Sequence, residues 1–389
     1  MGERADFLVI GLGAMGSAAL YQLAKRGARV VGLDRFAPPH EMGSSHGETR
    51  ITRQAVGEGQ DYVPFVLDSH RIWRDLEAET GERLLEACGA LVMAPGTGTA
   101  SHHGKPDFVR NSIAAARAFD IPHEVLDGRE VARRFPQFLN LEGDEIAYYE
   151  PGGGYVRPEA CIAAQLARAR QLGAAIRTGV TVRSVRRDGD GVRVETSAGT
   201  FCAGEVMVSA GAWTAPLLGA PFDRLLGVKR QLLHWYALDD GSTWPADAPV
   251  YIWMHGTRDT DYFYGFPPQD GERSVKVATE QYADGTTADA ADRNVAPEES
   301  AAMYRSHIDG RLAGATPRVV RAAACLYTVT PDRGFIIDRH PDENRVLVVS
   351  ACSGHGFKHS AGIGKAAAEL LTEGRSAIDL APFAVGRFG

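Results

Sequence analysis

Residues 7–34 constrain the chain more than any other stretch. Phe7-Leu-Val-Ile10 is a short apolar run of the kind a buried parallel strand shows. It passes directly into Gly11-Leu-Gly13-Ala14-Met15-Gly16. An Ala/Leu-rich run, Ser17 to Arg26, follows with good helix formers and stops at Gly27. A second apolar run, Val30 to Leu33, ends in Asp34. Strand, glycine turn, helix, strand and acid, in that order, predict a Rossmann-like unit that binds a dinucleotide. Gly11 permits the tight turn, Gly13 lets the backbone approach a pyrophosphate, and Gly16 lets the helix pack close on the strand. The start of the helix presents unpaired N–H groups and a positive dipole end to the phosphates. Asp34 follows at the distance where a carboxylate accepts ribose hydroxyls. The motif alone does not choose between FAD and NAD.

A chain of 389 residues has room for two domains, or three. With 44% apolar and 23% charged residues it buries a full globular core. The net charge of -7 argues against nucleic acid or an anionic membrane as partner. Five cysteines without a CxxC pair make neither a disulfide framework nor a zinc site. No apolar run approaches the roughly 18 residues that a membrane span needs. The first strand begins within a few residues, leaving no room for a signal peptide, so a cytoplasmic protein is expected.

Phe36-Ala-Pro-Pro-His40 reads as extended chain, because proline disfavours helix at the residue before it. Gly43-Ser44-Ser45-His46-Gly-Glu-Thr-Arg50-Ile-Thr-Arg53 sets one histidine and two arginines among small residues. By charge alone this is a solvated loop; the sharper reading lays it along the dinucleotide. Helices are predicted over Tyr62 to Ala78, Asp107 to Phe119 and from Pro158, and a strand at Leu91 to Ala94. Ser101-His-His-Gly104 reads as an exposed loop, and the His pair lacks other ligands at metal-site spacing, so no metal is expected. Val180 to Val185, Val192 to Thr196 and Glu205 to Ser209 form a meander that returns to the main sheet. Ser209-Ala210-Gly211-Ala-Trp213 ends it with small residues that allow a ligand close. From Leu225 to about Arg321, aromatic-rich runs alternate with Asp/Gly turns, which predicts an antiparallel sheet. Such a sheet is either plain core or the lining of a small-molecule pocket. Val346 to Ser350 is another buried strand, followed by Ser353-Gly354-His-Gly356-Phe357-Lys358 and a helix over about Ser360 to Thr372.

Three stretches together resemble the monomeric sarcosine oxidase family, which includes N-methyltryptophan oxidase. They are Ser45 to Arg53; Cys325-Leu-Tyr327-Thr-Val-Thr-Pro-Asp332 with Phe335-Ile-Ile-Asp338; and Ser353 to Lys358. The resemblance runs from Phe7 to Phe383. It implies an α/β (α+β) fold like that of p-hydroxybenzoate hydroxylase. Residues 1–90, 151–224 and 321–389 would form a Rossmann-like FAD-binding domain, and 91–150 and 225–320 an antiparallel-sheet substrate domain. FAD would be tethered through its 8α carbon to Cys325. Cofactor contacts are expected from Gly11, Gly13, Ala14, Met15, Gly16, Asp34, Arg35, Ser44, Ser45, Arg50, Val182, Ala210, Gly211, Trp213, Cys325, Gly354, Gly356, Phe357 and Lys358.

The resemblance also assigns roles. Arg53 and Lys358 would hold the substrate carboxylate through charge-assisted bonds. Lys276 would activate oxygen, since a fixed positive charge favours formation of an anionic superoxide; read alone, a strand lysine faces solvent. His46 and Arg50 would pack against the flavin ring, and Tyr264 and Tyr327 would line the substrate cavity. Attack on the flavin methyl needs a thiolate, whose charge Arg50 and His46 would offset. Cys88, Cys161 and Cys202 read as small buried hydrophobes, while Cys352 adjoins the last motif. Two departures stand out. Glu280 replaces a histidine four residues after the lysine, and Ser45 replaces a second histidine. A carboxylate at Glu280 would change the pocket charge and favour a different or larger substrate than sarcosine.

The activity implied is oxidation of an N-methyl or other N-substituted amino acid. The product imine hydrolyses, and O2 becomes H2O2. The partners are then a small-molecule substrate and O2, and the enzyme is a monomer. The alternative is an FAD-dependent amino- or imino-acid dehydrogenase with a protein electron acceptor. From the glycine motif alone, a nucleotide-binding module without catalysis and an NAD-dependent dehydrogenase also remain open.

Overall fold

The Glu3–Ile10 strand pairs in parallel with Val30–Leu33 on one side and with Gly199–Val208 on the other, in a computed structural model that describes residues 3–97, 100–242, 244–269 and 271–389. Gly199–Val208 is the spine of this first sheet. Its early half pairs antiparallel with Gly191–Thr196, and its late half pairs in parallel with Glu343–Ser350. It is one long strand, so the run read as Glu205 to Ser209 is only its end. Val182–Asp188 and Gly191–Thr196 complete the meander, Ala175–Arg177 borders Val30–Leu33, and Ile336–His340 borders Glu343–Ser350. The run Val30–Leu33 is buried along its whole length, as expected of a parallel strand covered on both faces. The Ala14–Lys25 helix packs between Pro158–Gln171 and Ser360–Glu373. Buried alanines and glycines on these faces let the helices come close.

The second sheet runs Ala315–Val329, Gly227–Leu238, Ser274–Ala278, Tyr262–Phe266, Val250–Met254, Ala90–Ala94, Ile146–Glu150, Glu124–Asp127. Its pairings are antiparallel except the one between Val250–Met254 and Ala90–Ala94. Period-two alternation divides its faces. Val275 and Val277 join an aromatic core with Tyr251, Trp253 and Phe263. Lys276 and Ala278 point the other way, toward Leu233, Trp235, Cys325 and Tyr327. A short sheet of Arg50–Thr52, Gly154–Val156 and Leu85–Glu86 brings the Ser44-to-Arg53 stretch up to that second face. The Val63–Thr80 helix carries Phe65 and Trp73 fully inside. Burying such side chains contributes about 1.5–3 kcal/mol each, so docking holds this helix in place. Among the described residues no helix is long and apolar enough to cross a membrane.

Candidate active site

The glycine turn forms as its sequence requires. Gly11 has φ +84°, and a Cβ there would lie 2.6 Å from the Ser209 carbonyl oxygen. A Cβ on Gly16 would lie 1.8 Å from the Gly11 carbonyl oxygen. Strand, turn and helix therefore meet backbone to backbone. Gly13 differs: a Cβ there would meet nothing within 4 Å and would project into an open cleft. That cleft is lined by Gly11, Gly13, Ala14, Met15, Asp34, Arg35, Ser44, Ser45, Arg50, Val182, Ala210, Gly211, Trp213, Gly354, Gly356 and Phe357. Of the expected cofactor residues, Gly16, Cys325 and Lys358 do not line it. The helix start at Gly13 carries no side-chain cap, so its N–H groups are free for an anion. The Asp34 carboxylate accepts from Leu12 N at 2.7 Å and Phe36 N at 2.8 Å, which fixes its orientation and leaves acceptor positions over. An open glycine face, an uncapped helix and an oriented acid fit the pyrophosphate and ribose of FAD.

At the other end of the cleft stands the face of the second sheet. Lys276 is 3% exposed and donates to Gly47 O (2.6 Å), Thr49 O (2.8 Å) and Thr49 Oγ1 (3.0 Å). Its Nζ lies 4.6 Å from the Phe266 ring centre. It is thus buried, not solvated, and burial with the neighbouring Arg50 holds its pKa well below the usual lysine value. Arg50 donates to the Ser44 and Thr49 carbonyls at 2.8 Å each. Cys325, opposite Gln231 across the strand pair, is buried; burial raises its thiol pKa while Arg50 pulls it down. Cys352 lines the cleft. Tyr327 is buried and Tyr264 half-buried beside Arg50 and Cys325, and desolvation raises both phenols. His46 departs from expectation. Burial, Arg50 and Lys276 lower its pKa to about 3, so it is neutral and adds no positive charge beside Cys325. Its Nε2 is buried without a hydrogen-bond partner.

Behind the cleft lies a buried network of charges. Arg53 Nη2 donates to Glu58 Oε2 at 3.0 Å, and Lys358 Nζ donates to Glu58 Oε1 at 3.0 Å. The two cations expected to hold a substrate carboxylate therefore share an internal one. His103 bridges Glu58 (Nδ1 to Oε1, 3.2 Å) and Glu280 (Nε2 to Oε1, 2.9 Å). Glu280 Oε2 also accepts from the Tyr262 and Tyr282 hydroxyls at 2.7 and 2.9 Å. A Cβ on Gly354, which lines the cleft, would lie 2.6 Å from Glu280 Oε1 and 3.0 Å from the Tyr327 ring. The network is thus one residue's thickness from the cleft.

Its electrostatics are mutually supporting. Burial raises Glu58, but Lys358, Arg53 and His103 hold it well below the usual carboxylate range. Burial likewise raises Glu280, and His103 more than offsets it. Burial lowers His103, yet the two carboxylates raise it overall, and a carboxylate oxygen on each ring nitrogen favours the imidazolium. Burial brings Lys358 down to about 8 against the pull of Glu58.

Two expectations change here. Ser101–Gly104 reads as surface in the sequence, but both histidines are buried: Glu58 and Glu280 draw in His103, and His102 packs against the His103, Phe108 and Tyr262 rings. Glu280 does not present a bare negative charge to the pocket, because His103 neutralises it. Ring nitrogens of His102 and His103 and a Glu280 oxygen lie within 4.8 Å of one another, the spacing of a metal site. Both His103 nitrogens, however, are committed to carboxylates as donors. Sequence reasoning missed Glu58, Tyr262, Tyr282 and His103. The one available signal was an acid set between glycines, Gly57-Glu58-Gly59, shortly after Arg53.

Comparison with known proteins agrees with this geometry. The sequence profile of the family described as "FAD dependent oxidoreductase" matches residues 6–370. The chain is 38% identical to monomeric sarcosine oxidase of Streptomyces avermitilis, over 96% of this chain and 94% of that one. It is 34% identical to N-methyl-L-tryptophan oxidase of Yersinia pestis, over 98% and 99%. Among solved structures, NikD, described as an unusual amino acid oxidase essential for nikkomycin biosynthesis, superposes with a TM-score of 0.83 at 27% identity, over 98% and 97% of the two chains. Glycine oxidase of Geobacillus kaustophilus shares the fold, with a TM-score of 0.73 at 22% identity over 98% of each chain.

Proposed function

Because the chain belongs to the FAD-dependent oxidoreductase family, we propose that it oxidises an N-methyl or other N-substituted amino acid, with O2 as electron acceptor. The observation that carries this reading is the meeting of Arg53 and Lys358 on one buried carboxylate. In the network, three cations (Arg53, Lys358, His103) face two carboxylates (Glu58, Glu280), which leaves charge for one more carboxylate. The names of the relatives support the substrate class. When bound, FAD supplies a hydride acceptor that O2 can reoxidise. The chain's own residues do the rest. Arg53 and Lys358 take the substrate carboxylate in place of Glu58. Tyr264, Tyr327 and Gly354 wall the reacting end, and Asp34 and the Ala14–Lys25 helix start hold the nucleotide end. Lys276 sets a positive charge at the wall where O2 is reduced. In this reading the first sheet serves the cofactor and the second the substrate, and the enzyme works in the cytoplasm; that it works as a monomer is supported by the name of its relative, monomeric sarcosine oxidase.

The test is anaerobic addition of N-methyl amino acids, N-substituted glycines and cyclic imino acids, followed by peroxide assay in air. At least one should bleach the visible flavin band and yield one peroxide per turnover. Reduction by primary amino acids alone would sink the reading, and bleaching without peroxide would favour a dehydrogenase. The same assay run against pH has a definite sign. The Lys358 pKa is lowered to about 8, so its charge is present below that pH and lost above it. KM should therefore rise as pH passes about 8, with kcat changing less.

We further propose that the flavin is tethered through Cys325. Arg50, not His46, offsets the thiolate charge. Acid precipitation should leave yellow colour in the protein pellet, and Cys325→Ala should release it to the supernatant. Full release from the unaltered protein would show that no tether exists.

A further inference from the structure

His103 plays no part in the reaction as read above, yet it is 5% exposed and both ring nitrogens are engaged. Its partners come from distant parts of the fold. Glu58 sits in the turn ahead of the Val63–Thr80 helix, and Glu280 follows the Ser274–Ala278 strand. Glu58 holds the harder position, because its side chain is 1% exposed. Once a substrate carboxylate takes Arg53 and Lys358, His103 is the cation left to it. A buried carboxylate that loses its partners is strongly unfavourable.

We propose that His103 is a positioning residue: it retains Glu58 when a substrate carboxylate displaces that side chain from Arg53 and Lys358, and so sets substrate affinity without touching substrate. The inference rests on the carboxylate site assigned above. Three features of the structure support it. The second ring nitrogen is anchored on Glu280, which the Tyr262 and Tyr282 hydroxyls fix in turn, so the ring stays when Glu58 changes partners. The loop is braced locally, with His102 N to Lys105 O at 3.1 Å and Lys105 N to His102 O at 2.9 Å. His103 (φ +51°) and Gly104 (φ +71°) are the two central residues of that tight turn, which needs positive φ at both, so the turn itself sets where the ring leaves the backbone. The charges also close. With substrate bound, Arg53, Lys358 and His103 face Glu58, Glu280 and the substrate carboxylate, three against three.

The experiment uses the flavin-loaded enzyme and propionate, a carboxylate with no oxidisable amine. Its Kd is read from perturbation of the visible absorption spectrum in the unaltered protein, His103→Gln, Glu58→Gln and the double variant. His103→Gln should weaken propionate about tenfold, and in the Glu58→Gln background that effect should shrink to about twofold or less. For turnover, His103→Gln should raise KM far more than it lowers kcat. An effect of equal size in both backgrounds, or none in either, overturns the proposal. Arg53→Gln separates the two layers: if it leaves propionate binding unchanged, the carboxylate site itself is wrong. Should the variants fail to fold, hydrogen exchange on the unaltered protein decides. The amides of His102 and Lys105 should keep their protection when propionate saturates the site. Loss of protection there on binding would mean that the loop opens and does not retain Glu58.

Discussion

Lys276→Gln is expected to slow reaction of the reduced enzyme with dioxygen by about 10²–10³-fold, the cost typical of removing one preorganised electrostatic group. Bleaching by substrate under anaerobic conditions should change by less than about threefold, because the carboxylate is held by Arg53 and Lys358 on other elements. The separation follows from geometry. Lys276 donates to the Gly47 and Thr49 oxygens and sets its charge against Phe266 and Trp235, on the sheet face that also carries Cys325. Gln keeps donors for one or two of those oxygens but loses the charge, so packing is largely preserved. The lowered pKa of Lys276 sets a sign as well. The charged form is present at low pH and is lost earlier than in an ordinary lysine, so the oxygen reaction should slow as pH rises. Stopped-flow mixing of the reduced enzyme with oxygenated buffer measures the rate directly. Equal losses in the two half-reactions would show that Lys276 acts through structure and not through its charge.

Gly16→Ala is expected to yield protein that binds no flavin and melts early. The added Cβ would lie 1.8 Å from the Gly11 carbonyl oxygen and 2.7 Å from the Ser209 hydroxyl. The first obstacle is backbone, so the turn itself must open. Overpacking of this kind costs about 1–3 kcal/mol in a core, and here the strain falls on the turn that the cofactor needs. The ratio of absorbance at 450 and 280 nm and a thermal melt check both parts. Retention of full flavin content would show that the helix can slide outward without harm.

The two residues also mark the limits of reading this chain from its sequence. Gly16 was legible because everything it needs is local: a strand before it, a helix after it and an acid at the right distance. Lys276 was not legible alone. Alternation places it opposite Val275 and Val277, but which face meets the cofactor depends on Gly227–Leu238 and Ala315–Val329, strands that pair across the sheet. His103 reads as surface because its stretch sits among Gly, Thr and Lys residues. Its burial is caused by Glu58 and Glu280, 45 and 177 residues away, and no local pattern announces such partners. His46 shows a different limit. Its identity was plain, but its neutrality comes from burial beside Arg50 and Lys276, which only the assembled site reveals.

The cleft has a lining drawn from across the chain. Its walls come from residues near 11, 34, 44, 182, 210, 327 and 354. A chain emerging from the ribosome therefore carries the glycine turn from the start, yet lacks a closed cofactor seat until the strand ending at Ser350 and the turn after it have been made. Contacts this far apart in sequence make folding slow relative to local structure. Flavin capture is accordingly one of the last events in maturation, and a fragment that stops short of Phe357 holds the signature motif but not the seat.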